Sequence, residues 1–280
     1  MPELPEVETV RRELAPALTG VRIARAVISD SRLVRPHEPD LVAAELGGER
    51  VEVVDRRGKY LIVRFVSGRA LLAHLRMTGS FRVVPSGGEV EPDPHRRAVL
   101  HLDGGTTVSY RDVRRFGTWE LFEVGELEGY LAARLGPEPL GPLTARALAE
   151  RLAGRRTSLK AALLDQKTVA GLGNIYVDEA LWEARLHPLR PAGSLGDDEG
   201  GILHRAVRRV LRRGIARQGA SLRDYRTPSG GTGGMQQEFH VYGRDGEPCD
   251  RCGSPIAKAR VAGRGTHYCP GCQLADGGGP

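Results

Sequence analysis

The sequence has no apolar run long enough to cross a membrane, very little lysine and, before residue 249, no cysteine. The first absence excludes a membrane-spanning helix, and no membrane partner is expected. The second is a choice between cations. Of 41 basic side chains only Lys59, Lys160, Lys167 and Lys258 are lysines, the rest being arginine. Coding in a GC-rich genome explains that skew as readily as a demand for bidentate phosphate contacts. It does draw attention to the four amines, because imine and proton-transfer chemistry often uses one. The third absence excludes a disulfide scaffold over most of the chain. No internal repeat is present. What remains is 280 residues, 40% hydrophobic, enough for two domains with ample core. The net charge of +6 favours a polyanionic partner.

All four cysteines fall near the C-terminus as Cys249-Asp250-Arg251-Cys252 and Cys269-Pro270-Gly271-Cys272. Two C-x-x-C pairs at this separation fit a tetrahedral zinc site, with two short strands and a turn between them. Two disulfides are the alternative. No signal-peptide-like stretch opens the sequence, so one zinc ion per chain is expected instead. Four thiolates leave no open coordination position, which makes the metal structural.

The opening Met1-Pro2-Glu3-Leu4-Pro5-Glu6 places a proline where removal of methionine would leave a secondary amine beside two carboxylates. An α-amino group titrates about two units below a lysine, so a useful fraction is neutral at pH 7. Such an amine can attack an electrophilic carbon and close to an iminium ion. A proline at position 2 that merely signals methionine processing is the competing reading, and on six residues both stay open.

Pro5, with Glu6 and Glu8 after it and Val7, Val10, Leu14 and Leu18 on one face, predicts a short amphipathic helix. Pro2 and Glu3 then precede a helix N-terminus, whose partial positive charge favours an ionised carboxylate and a neutral amine. From Val21 to Glu123 short β-rich runs separated by Gly-containing turns predict a two-layered antiparallel sandwich. Three prolines and two glycines in residues 136–142 mark a boundary. Residues 157–185 read as two helices joined by Ala170-Gly171-Leu172-Gly173-Asn174, a turn whose amides suit either a phosphate or simple hairpin packing. Ile202–Ile215 reads as a basic amphipathic helix. A glycine-rich segment, Gly214–Gly234, precedes the β-like Glu238-Phe239-His240-Val241-Tyr242.

An amine site, paired helices with a phosphate-friendly turn and a basic zinc hairpin suggest an enzyme acting on DNA. Seven stretches now carry a resemblance: residues 2–9 (PELPEVET), 58–61 (GKYL), 74–79 (HLRMTG), 114–117 (RRFG), 164–167 (LDQK), 173–176 (GNIY) and 241–244 (VYGR). In this order they resemble the formamidopyrimidine-DNA glycosylases, bacterial enzymes that remove 8-oxoguanine and ring-opened purines. The likeness runs from Pro2 to Gln273. It implies an α+β chain: an N-terminal antiparallel β-sandwich with its helix over 1–136, a linker over 137–143, and a helix-two-turn-helix domain with a lesion-capping loop over 144–240. A four-cysteine β-hairpin zinc finger over 241–273 and a tail over 274–280 follow. The implied partner is double-stranded DNA with an oxidised base, bound by a monomer in the bacterial cytoplasm at the nucleoid.

The resemblance also implies roles. Pro2 is the nucleophile at C1′ and Glu3 the general acid and base; Lys59 and Arg264 serve β- and δ-elimination, with Arg264 acting mainly as a phosphate clamp. Glu6 and Glu179 are supporting carboxylates. Met77, Arg114 and Phe116 match the trio inserted into the duplex. His95, Arg155, Lys160 and Asn174 match phosphate-holding positions, and Ser221, Leu222, Arg223, Asp224 and Tyr225 match the capping loop. Two departures stand out. His95-Arg96-Arg97-Ala98 replaces the frequent H-D-H-V, which weakens the inference for His95, and Val113 replaces a proline before Arg114-Arg115-Phe116-Gly117, which removes a stiffener from that loop. Two other readings stay in view. One is an endonuclease VIII-like relative for oxidised pyrimidines, which usually begins P-E-G-P-E and lacks the trio. The other is a non-catalytic damage-binding module.

Overall fold

In the computed structural model, which describes residues 1–89 and 91–275, the chain opens with helix α1 (Leu4–Leu18). Glu3 is its extended N-cap, and a reciprocal capping box closes the first turn. The Glu3 side chain accepts from the Glu6 amide, and the Glu3 amide donates to Glu6 Oε2 at 2.8 Å. Leu4, Val7, Val10, Leu14 and Leu18 are buried, each contributing roughly 1.5–3 kcal/mol relative to exposure.

Seven strands and a helix follow before the second sheet is complete: β1 (Ile23–Ile28), α2 (Pro39–Leu46), β2 (Val51–Arg57), β3 (Tyr60–Phe65), β4 (Ala70–His74), β5 (Ser80–Val84), β6 (Arg96–Leu102) and β7 (Thr107–Arg111), then β8 (Thr118–Phe122). They form two antiparallel four-stranded sheets, β1-β6-β7-β5 and β2-β3-β4-β8. Leu61, Val63, Phe65, Leu71 and Ala73 of one sheet share a core with Phe81, Leu100, Val108 and Tyr110 of the other. Helix α1 packs on β2, β3 and β5 and so touches both sheets. The α+β class and the sandwich are therefore as expected. Helix α2 lies inside a region that reads as β-rich; it is only two turns long and starts at Pro39, too short for a clear helical period.

Glu8 on α1 is buried among Arg11, Arg12 and Arg56, which donate to it at 2.8–3.2 Å. Burial would raise its pKa, but the hydrogen bonds from Arg11 and Arg12 and the charges of Arg11 and Arg56 outweigh it and hold it at about 2. A depressed carboxyl stabilises the fold fully above its unfolded pKa and loses that contribution as pH falls through the folded one. Thermal stability is therefore expected to decline from about pH 5 towards pH 2. Glu8→Gln should remove roughly 2–3 kcal/mol of stability at pH 7 and little at pH 2, as read from unfolding curves at both pH values.

Beyond α3 (Glu126–Arg134), α4 (Ala145–Leu152) and α5 (Leu159–Leu164) are capped by Thr144 and Ser158, whose hydroxyls accept from the Ala147 and Ala161 amides. Helix α6 (Asn174–Glu183) and the basic α7 (Asp197–Ala216) follow, and the hairpin β9 (Ala257–Val261) and β10 (Arg264–Tyr268) closes the described chain. Helix α6 packs on α5, α7 and β10, and α4 packs on α7.

The chain forms two compact units, Met1–Ala133 with Arg217–Gly234, and Arg134–Ala216 with Met235–Pro280. The glycine-rich segment thus groups with the sandwich, whereas the sequence places it in a 144–240 block. The reason is local: the Ala220 amide donates to Glu6 Oε1 at 2.7 Å, Tyr225 sits in the sandwich core, and the Ser229 amide donates to Glu13. The β-like run Glu238–Tyr242 is not a strand. A 3-10 turn (Met235–Glu238) leads into a loop whose amides are taken by Glu179 and not by a neighbouring strand. Of the tail expected over 274–280, residues 276–280 lie outside the described residues.

Candidate active site and nucleic-acid interface

Pro2, Glu3 and Glu6 are buried at the N-terminal end of α1, while Met1 is 42% exposed. Glu6 accepts from the Glu3 and Ala220 amides, and a Cβ on Gly219 would stand 2.7 Å from its side chain, so residue 219 must be glycine for the segment to approach. Lys59 is buried in the two-residue turn between β2 and β3, where Gly58 supplies the positive φ of +58°. Helix α1 lies on these two strands.

His74, at the end of β4, meets Tyr60 edge-on at 4.7 Å and accepts at Nδ1 from the Arg76 amide at 2.9 Å. Burial, then the charges of Arg76 and Lys59, push its pKa down to about 3, so it is neutral at physiological pH. The loop after it carries a half-buried Met77. The loop between β7 and β8 carries exposed Arg114 and Phe116, the guanidinium 4.7 Å from the ring centroid. His95 is half-buried ahead of β6, and its carbonyl accepts from the Asp112 amide. In the segment expected to cap a lesion, Leu222, Arg223 and Asp224 are exposed. Tyr225 is buried, its hydroxyl donating to the Gln218 carbonyl at 3.1 Å, and Ser221 Oγ donates to the Tyr225 carbonyl at 2.9 Å. Tyr225 is thus an anchor, and burial pushes its phenol pKa up.

In the second unit the turn between α5 and α6 is braced by Gln166, which donates to the Leu164 and Leu172 carbonyls and accepts from the Gly171 amide. Arg155, partly exposed, pairs with Asp165 at 3.3 Å. Lys160 is 0% exposed; its amine lies 2.7 Å from Asp178 Oδ1 and donates to the Gly265 carbonyl at 2.9 Å. Asn174 Nδ2 donates to the same carbonyl at 2.9 Å. Lys160 and Asn174, both matched by resemblance to phosphate-holding positions, thus converge as donors on the backbone of β10, with Asp178 as an ionic partner of the buried ammonium. Asp178 also accepts from the His267 amide at 2.9 Å. Arg264 is exposed where β10 leaves the Ala262-Gly263 turn, both of whose residues have positive φ.

Glu179 is also 0% exposed, and accepts from the amides of His240, Val241 and Tyr242 at 2.9–3.0 Å. Burial pushes its pKa up against those three donors. Its carboxylate thereby holds the backbone of residues 240–242 in place.

The Sγ atoms of Cys249, Cys252, Cys269 and Cys272 lie within 4.8 Å of one another. Thiolates about 2.3 Å from a common zinc ion stand at comparable separations, so the four fit the metal. Trp182 Nε1 donates to Cys249 Sγ at 3.4 Å, an N–H···S contact of the kind that holds a ligating thiolate in place. Arg251 lies over the indole, 3.6 Å from the ring centroid. Among the described residues no helix is long and apolar enough to cross a membrane.

Sandwich, paired helices with a braced turn and a four-thiolate hairpin together define a helix-two-turn-helix protein with a structural zinc finger. The N-terminal domain model of formamidopyrimidine-DNA glycosylase matches residues 1–119, its H2TH domain model residues 135–226, and the zinc finger found in FPG and IleRS residues 246–275. The chain belongs to the formamidopyrimidine-DNA glycosylase family. A relative of that name from Symbiobacterium thermophilum is 51% identical over 276 residues, covering 98% of this chain and 89% of its own. The MutM (FPG) protein of Thermus thermophilus superimposes with a TM-score of 0.86 at 45% identity, over 100% of both chains. A Lactococcus lactis FPG point mutant in complex with Fapy-dG containing DNA gives 0.90 at 40% identity, over 98% of this chain and 100% of that one.

Sequence reading missed Thr78, Asp112 and Asp178, each buried and each tying one functional loop or strand to another. Thr78 lies within the quoted 74–79 stretch and Asp112 just before the 114–117 stretch, but only the fold brings them together.

Proposed function

We propose that this chain is a bifunctional DNA glycosylase and abasic-site lyase of base excision repair, acting as a monomer on duplex DNA that carries an oxidised purine, 8-oxoguanine or a formamidopyrimidine. One observation carries the reading: Pro2 is buried at the N-terminal end of α1 with two carboxylates, and Met1 before it is exposed. Removal of Met1 leaves a secondary amine at the N-terminal end of α1, beside Glu3 and Glu6.

The lesion nucleotide leaves the stack to be reached. The Pro2 nitrogen attacks C1′ and gives up its proton as the base departs with the electrons of the glycosidic bond; the nitrogen lone pair then breaks the C1′–O4′ bond, and Glu3 delivers a proton to the freed sugar oxygen, opening the ring to an iminium ion. The resulting iminium makes the C2′ protons acidic, and loss of one expels the 3′ phosphate. A second elimination expels the 5′ phosphate. Lys59 serves the first elimination, and Arg264 clamps phosphate for the second. Met77, Arg114 and Phe116 fill and brace the gap left in the duplex, with Arg114 offering donors to the orphaned cytosine. His95 and Arg155 hold backbone phosphates, a salt-sensitive and sequence-blind contribution. Lys160 and Asn174 hold β10 and hence the strand that bears Arg264. Glu6 positions Glu3 and the 217–234 segment, whose exposed tip at 222–224 covers the flipped base. Zinc shapes the hairpin and takes no part in the chemistry. The bacterial relatives support a cytoplasmic setting at the nucleoid.

The methionine-processed protein is expected to release the lesion base from duplexes carrying 8-oxoguanine or formamidopyrimidine opposite cytosine and to leave a gap bounded by two phosphates. Mass spectrometry of the freed base and gel analysis of the ends check this. Release confined to oxidised pyrimidines would favour the endonuclease VIII-like reading, and binding without release the damage-binding module.

A further inference from the structure

Asp112 and Thr78 are buried polar residues to which the chemistry above gives no task. They lie between the loop after β4 that carries Met77 and the loop after β7 that carries Arg114 and Phe116. Thr78 Oγ1 donates a short hydrogen bond to Asp112 Oδ1 and accepts from the Arg114 amide at 3.0 Å. Asp112 Oδ2 accepts from the Gly117 amide at 2.7 Å. The backbone of Asp112 is itself fixed, its amide donating to the His95 carbonyl and its carbonyl accepting from Arg97 Nε at 3.0 Å. Three residues further on, Arg115 takes a φ of +59° and grips the buried Asp30 with two hydrogen bonds of 2.6 and 2.7 Å. Glycine is required on both sides of this junction. A Cβ on Gly79 or on Gly117 would fall 2.2 or 1.9 Å from Tyr110 Oη.

Between these fastenings Arg114 and Phe116 point outward, Phe116 with half its surface in solvent. A surface loop does not need an internal carboxylate with two partners in order to expose an arginine and a phenylalanine. The same fastening does fix the spacing of those side chains from Met77, which is what insertion into a base stack demands. Asp112 and Arg115 stiffen the loop from either side of Val113 and Arg114.

We propose that Thr78 and Asp112 form a buckle that holds Met77, Arg114 and Phe116 as one preorganised array, acting as positioning residues for entry into the duplex. This rests on the glycosylase reading above. Thr78→Val keeps the side-chain shape, removes the link and leaves the Arg114 amide and Asp112 Oδ1 without their partner. Single-turnover release of 8-oxoguanine from duplex is expected to slow on the order of 10- to 100-fold, the scale of a misplaced positioning group. Cleavage of an abasic site in single-stranded DNA, which needs no wedge, should change less than about twofold. Thr78→Ser should restore the duplex rate, and Asp112→Asn should behave like Thr78→Val. Independently of activity, hydrogen exchange at the Arg114 amide should accelerate in Thr78→Val and return to wild type in Thr78→Ser. Unchanged exchange and unchanged duplex rates in Thr78→Val would overturn the buckle, as would equal losses on duplex and single strand at unaltered thermal stability. Wild-type protein inactive on every lesion would instead sink the glycosylase reading, and the exchange measurement would still decide whether the two loops are fastened.

Discussion

Replacing Glu3 with glutamine lowers release of 8-oxoguanine by roughly 10²–10⁴-fold, the range for losing a positioned general acid and base. The substitution isolates chemistry from folding. Glu3 is the N-cap of α1 and its side chain accepts from the Glu6 amide; a glutamine oxygen accepts in the same way, so the helix keeps its cap. Glu3→Ala would remove cap and proton transfer together and cost about 1 kcal/mol of stability as well. Helical content and thermal stability should therefore match wild type in Glu3→Gln and not in Glu3→Ala. A Glu3→Gln protein that released the base at the wild-type rate would remove this residue from the mechanism.

Loss of zinc is expected to have the second large effect. The hairpin of β9 and β10 has two strands, which is marginal on its own. The apolar cluster beneath it consists of Trp182, Val241, Ile256, Cys249 and Cys269 with Cys272 at its edge, so half of its members are metal ligands. A structural zinc contributes on the order of 10 kcal/mol or more to folding of such a site. Cys269→Ser should bring zinc below one ion per chain and unfold the hairpin that bears Arg264. Weaker duplex binding follows, by on the order of 10²-fold if two charge-assisted contacts go with it. Metal analysis, circular dichroism and a binding titration at fixed salt check the three effects. A metal-free protein with native affinity would contradict the assignment.

Much of this was legible in the residues, and the limits have physical causes. Pro5 with Val7, Val10, Leu14 and Leu18 specified α1, because a cap and a 3.6-residue period are local. The cysteine spacing specified the metal hairpin for the same reason. What could not be read is tertiary. Lys160 is a lysine in a phosphate-like context by pattern, but the fold buries it against Asp178 and the Gly265 carbonyl. Glu238–Tyr242 alternates as a strand does, but its amides go to the buried carboxylate of Glu179 and not to a neighbouring strand. Glu179 reads as a supporting carboxylate on resemblance alone, and the three amides it accepts from were not foreseeable from its position in the sequence. Thr78 and Asp112 sit 34 residues apart, and their contact exists only once β4 and β7 have taken their places in different sheets.

Borohydride trapping on a duplex with one 8-oxoguanine opposite cytosine, followed by peptide mapping, tests the nucleophile most directly. Methionine-processed, zinc-replete protein is expected to form a covalent adduct at Pro2, and protein retaining Met1 is expected to form none. An adduct mapped to a lysine, or equal trapping with Met1 still in place, would contradict the assignment of the N-terminal proline.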